Sequence, residues 1–84
     1  MACLGFQQIT SLSAAAALTV PAGTRYALVQ CETQNVRWRA DGIDPTATVG
    51  MLLKTTDQPL ALAALNAKFI EATGSAVLNV SYFD

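Results

Sequence analysis

Apolar and polar residues alternate with a period of two in several short stretches of this chain, and turn-forming residues interrupt them at intervals of roughly 8 to 15 positions. In residues 25–32, Ala27, Val29 and Cys31 fall on one side; in residues 35–40, Val36, Trp38 and Ala40 do. Successive side chains of a strand point to opposite faces, so both stretches predict strands with one buried face. The three residues between them, Thr33 to Asn35, predict a tight turn and hence a hairpin, with Asn35 as the residue best able to adopt left-handed backbone. A second hairpin is predicted from residues 67–72 and 76–83, which flank Thr73, Gly74 and Ser75. Within it Leu78, Val80 and Tyr82 share one face and Val77, Asn79 and Ser81 the other.

Residues 6–12, 17–20 and 49–53 have the composition of strands with weaker alternation. One stretch pulls the other way. Residues 60–71 are rich in Leu and Ala, follow Asp57 as a plausible N-cap, and would place Leu62, Leu65 and Phe69 on one helical face. Phe69 and Ile70, just before a glycine turn, favour a strand in the last third, which leaves one short helical turn near residues 60–66. The expected fold is all-β: a single domain over residues 1–84, built as a small antiparallel β-sandwich or barrel of about six to eight short strands.

The chain has 84 residues, 52% hydrophobic and only 13% charged, with a net charge of −1. A domain of this size buries only about two-thirds of the surface its unfolded chain exposes. So little charge leaves part of the surface to be covered by other protein, although the alanines of residues 14–17 and 61–67 are tolerated in water. The five basic residues are scattered apart from one pair, which argues against nucleic acid as a partner. No apolar run approaches the roughly 18 to 20 residues of a spanning helix, so no membrane partner is expected. The first residues carry neither a positive start nor a long apolar core, which predicts synthesis and use in the cytoplasm and reduced thiols at Cys3 and Cys31.

Histidine is absent, and with it the commonest general base and metal ligand. The one close carboxylate pair, Asp41 and Asp44, flanks Gly42 and Pro45 and reads as loop-ordering. The glycines form no phosphate-cradling loop, and the oxygen ligands of a calcium loop are missing. We therefore expect no enzyme, no cofactor and no metal. The most informative stretch is Val36 to Gly42, where Arg37 and Arg39 bracket Trp38. If Trp38 points inward, both arginines share the outer face, placed to bond carboxylates or simply to solvate the strand. Arg37, Trp38, Arg39, Asp41, Asp44, Thr46 and Thr48, with the loop from 41 to 50, are the candidate protein-contact residues.

In order along the chain, an alanine-rich stretch leads into Leu18-Thr19-Val20-Pro21-Ala22-Gly23-Thr24-Arg25-Tyr26-Ala27, followed by Val36-Arg37-Trp38-Arg39 with Asp41-Gly42, then Pro45-Thr46-Ala47-Thr48-Val49-Gly50-Met51 and a closing Leu78-Asn79-Val80-Ser81-Tyr82. This succession resembles small virion proteins of tailed bacteriophages. The resemblance implies a β-sandwich accessory protein of capsid or tail, made in the bacterial host cytoplasm and located in the virion. It implies binding to other virion proteins such as the major capsid protein, while the low charge and small size of the chain predict a homo-oligomer, trimer or ring. Capsid decoration is the leading expectation. A tail or head-tail junction component is the alternative, and a carbohydrate-binding attachment module, stacking a sugar on Trp38 or Tyr26, is a third.

Overall fold

The computed structural model describes residues 2–84 and contains eight strands. They are β1 (Cys3–Ile9), β2 (Ala16–Ala17), β3 (Tyr26–Glu32), β4 (Val36–Arg39), β5 (Met51–Leu53), β6 (Leu60–Leu62), β7 (Lys68–Glu71) and β8 (Val77–Phe83). They form two four-stranded antiparallel sheets, one in the order β1-β8-β3-β6 and the other β2-β7-β4-β5. The pairing is nested: β1 with β8, β2 with β7, β3 with β6 and β4 with β5. The chain is thus one long hairpin, four strands out and four back, rolled until β3 meets β8 and β4 meets β7. That is the jelly-roll variety of β-sandwich.

The alternation read from the sequence lies where the core is. Ala27, Val29 and Cys31 of β3 and Leu78, Val80 and Tyr82 of β8 are all buried. They face Val36, Leu53 and Phe69 of the second sheet, and Leu12, Ala67 and Ala76 close the ends. At the rim, the Tyr82 hydroxyl donates to Gln7 Oε1 at 2.5 Å, and the same oxygen accepts from the Thr19 amide at 3.1 Å. This satisfies a phenol that would otherwise be costly to bury.

Neither predicted hairpin forms. β3 and β4 belong to different sheets, and so do β7 and β8. The three-residue turn at 33–35 is a corner where the chain leaves one sheet for the other. Thr33, at φ 76°, takes the left-handed conformation there, while Asn35 acts through hydrogen bonds. Its side-chain oxygen accepts from the Thr55 amide at 2.9 Å, and its carbonyl accepts from the Ala72 amide at 2.9 Å. At the second corner it is Ser75, at φ 71°, that turns left-handed. Among the described residues, β4 to β5 is the only pair joined directly within one sheet.

The helical turn near 60–66 is also replaced. Leu60, Ala61 and Leu62 are a strand, opposite Val29, Leu28 and Ala27 of β3, and the chain then reverses in a tight turn in which the Ala67 amide donates to the Ala64 carbonyl at 3.1 Å. Three residues paired against the long strand β3 outweigh the helix preference of alanine and leucine, which amounts to only a few tenths of a kcal/mol per residue.

Candidate functional site

The site lies at the tip of the rolled hairpin, in the connection between β4 and β5. Strand alternation sets its floor. Val36 is buried, and Trp38, two residues on, packs its ring against Phe69 with centroids 6.4 Å apart. Arg37 and Arg39 consequently share the outer face of this sheet, opposite Ile70 and Lys68 of β7. The arrangement expected if Trp38 points inward is the one found.

The two arginines have different employment. Arg37 Nη1 donates to the Gly50 carbonyl at 3.0 Å, while its Nε is buried without a hydrogen-bond partner. Arg37 is therefore a positioning residue that ties the end of the loop to β4. Gly50 sits at φ 142°, and a Cβ there would come within 3.1 Å of the Trp38 carbonyl and 3.3 Å of Pro45 Cβ. Only glycine lets the chain pass so close to the β4 backbone. Arg39, partly exposed, instead grips Asp41 through two parallel bonds, Nε to Oδ1 at 3.0 Å and Nη2 to Oδ2. This contact holds the Asp41 carboxyl below, and the Arg39 guanidinium above, their ordinary pKa values.

Asp44 does not join Asp41 as a carboxylate pair. It accepts from Lys68 Nζ at 3.0 Å, so each aspartate neutralises one cation of the outer sheet face and straps the loop across it. Asn66 Nδ2 adds a bond to the Ala40 carbonyl at 3.0 Å. Thr46 orders the tip: its hydroxyl oxygen accepts from the Val49 amide at 3.0 Å, and its own amide donates to the Val49 carbonyl at 2.9 Å. Thr48 stands exposed beside it.

Of the seven residues singled out from the sequence, Arg39 and Asp41 line a shallow concavity of about 340 Å³, together with Ala40, Val49, Gly50 and Met51. Arg37 ties the lining residue Gly50 to β4, Trp38 packs on the core side of the same strand, and Asp44, Thr46 and Thr48 belong to the loop without lining the concavity. The apolar members were missed. Ile43, Val49 and Met51 are 57%, 52% and 61% exposed, and Leu52 is exposed as well. Their signal was available: a turn-rich stretch of Asp, Gly, Pro and Thr has no core for such residues to enter. Among the described residues no group of three or more His, Cys, Asp or Glu is placed to hold a metal ion.

The concavity can receive an apolar side chain and hold neighbouring polar groups against a charge-neutralised rim; it carries no unpaired carboxylate to move a proton. Comparison with known proteins gave no match to a family model, a curated protein or a solved structure.

Proposed function

We propose that this chain is a non-enzymatic structural protein of a tailed-phage virion, a capsid decoration protein that binds coat subunits through the β4–β5 tip. The observation that carries the reading is the nested strand order 1-8-3-6 and 2-7-4-5. The eight-stranded jelly roll recurs in viral capsid domains, and the sequence succession described above points to the same setting. Fold supplies only the setting; the binding role comes from the site. The tip presents exposed apolar side chains beside ion pairs already satisfied within the chain, a surface suited to protein contact. Many copies of a modest contact on a repeating shell give lasting occupancy.

Jelly rolls also occur among lectins, but Trp38 is half-buried against Phe69, which removes the tryptophan platform a sugar would stack on. The test is reconstitution of particles stripped of this protein. Arg39→Ala combined with Thr48→Ala leaves the melting temperature near the parent value and lowers occupancy on the shell. Undiminished occupancy contradicts the assignment of the tip as the contact.

A further inference from the structure

The exposed large apolar side chains of the described residues fall into two groups. Leu4 and Phe6 lie on β1, and Val20 lies in the segment beside it, which is tied to β1 by the bonds between Gln7 and Thr19. Ile43, Val49, Met51 and Leu52 belong to the β4–β5 tip. β1 is the outermost strand of one sheet and β5 of the other. The Gln7 to Thr19 bonds put β1 on the β2 side of the sandwich, whereas β5 lies under β3, where Cys31 Sγ donates to the Leu53 carbonyl at 3.3 Å. The two groups therefore occupy opposite flanks.

Their shapes differ in a complementary way. Phe6 is 64% exposed and stands out from the outer face of its sheet, in register with Ser81. The tip carries a shallow concavity of about 340 Å³, lined by Ala40, Val49, Gly50 and Met51 with the Arg39–Asp41 pair at its edge, which is room for a phenyl ring, given that a cavity of about 150 Å³ accepts benzene. Neither group includes an ionisable side chain, and the charges bordering the hollow are paired within the chain. At about 200 Å² for each fully exposed large side chain, the two groups together offer roughly 700 Å² of apolar surface. That is the non-polar share of an interface of about 1,200 Å², the lower end of stable protein contacts.

We propose that the occupant of the tip hollow is Phe6 of a second copy of this chain, so that copies associate head to tail. Such a contact uses two different patches and closes into a ring, or runs on as a filament, according to the rotation between neighbours. With the two patches on opposite flanks, a two-fold dimer would instead set one patch against its own copy, Phe6 on Phe6 or tip on tip, and leave Phe6 out of the hollow. The inference deepens the binding reading by naming a partner for the apolar side of the tip, and it is tested on the purified protein without particles, so its failure leaves shell binding untouched.

The experiment is sedimentation analysis of the parent chain, of Phe6→Asp, of Met51→Asp, and of an equimolar mixture of the two variants. Both substituted positions are exposed, and an unchanged Trp38 emission spectrum verifies folding. The parent is expected to be oligomeric and each variant monomeric. The mixture is expected to form a one-to-one dimer of twice the chain mass, because the intact hollow of Phe6→Asp meets the intact Phe6 of Met51→Asp. A monomeric parent at all concentrations overturns the proposal, as does an oligomer that survives either substitution or a mixture that remains monomeric.

Discussion

The two sheets share one core but differ in what they show to the outside. In the first, three strands of seven residues, β1, β3 and β8, run side by side, and their outer face is largely uncharged. Tyr26 stacks on Phe83 there with ring centroids 5.2 Å apart and planes 13° from parallel, and Gln8 Nε2 donates to Asn79 Oδ1 at 2.9 Å. In the second, no strand exceeds four residues, and the outer face carries Arg37, Arg39 and Lys68 with aspartates folded over two of them. Long strands supply regular backbone pairing. Short strands leave more of the chain to loops, where side chains are free to take functional positions. The first sheet thus supplies most of the regular strand pairing, and the second carries the loop-rich β4–β5 tip.

The largest expected effect ignores that division. Phe69→Ala in the second sheet and Leu78→Ala in the first both remove fully buried side chains from the common core. Each is expected to cost about 2–5 kcal/mol by denaturant titration. A small loss for Phe69→Ala alone would mean that the second sheet packs loosely and is not part of one cooperative unit.

Next comes Gly50→Ala, which sharpens the contrast because it strains only the tip. The cost of forcing alanine into that conformation is about 1–3 kcal/mol, and the hollow should distort with it, so self-association falls as well. A variant with unchanged melting temperature would contradict the close approach of loop and β4. Arg37→Ala follows at about 1 kcal/mol, for one bond to a carbonyl. For a chain this short that corresponds to a melting temperature lower by roughly 4–8 °C.

Smaller still is the response to pH. Burial holds the Cys31 thiol and the Tyr82 phenol above their ordinary values, so the unfolded chain loses these protons first. The contribution of Cys31 is present below 9.0, the ordinary thiol value, and declines as pH rises beyond it, while that of Tyr82 holds up to 10.0, the ordinary phenol value, and declines above that. At the acid end Asp41 is held low by Arg39, and its contribution is lost as pH falls through the carboxylate range; the pair stands in solvent, so this change is the slighter one. Thermal melts across pH check the asymmetry. In the same way Cys3, exposed at the start of β1, should react at once with a thiol reagent, and Cys31 only on unfolding.

The first sheet was more legible in the sequence than the tip. The period-two runs of β3 and β8 specify their inner faces because each strand is half-buried along its whole length, so Leu78, Val80 and Tyr82 could be assigned to the core directly. Connectivity was not legible. Thr33 to Asn35 carries the composition of a hairpin turn, but a three-residue corner between sheets uses the same residues, and only long-range pairing of β3 with β8 decides between them. Residues 60–62 show the same dependence on distant partners. At the tip, alternation placed Arg37 and Arg39 together on the outer face, but nothing local indicates that Arg37 is used up on Gly50, or that Asp44 meets Lys68 across 24 residues. Such contacts exist only once the loop has folded back over the sheet.

The role proposed for this jelly roll is that of a repeated structural component of a virion. Copy number and radial position in purified particles, measured by quantitative densitometry and cryo-electron microscopy, test it most directly. Many copies distributed over the outer shell, with the β4–β5 tip at a protein contact, are expected. Occupancy confined to a single ring at the vertex or along the tail would contradict decoration, and absence from the particle would contradict the virion role itself.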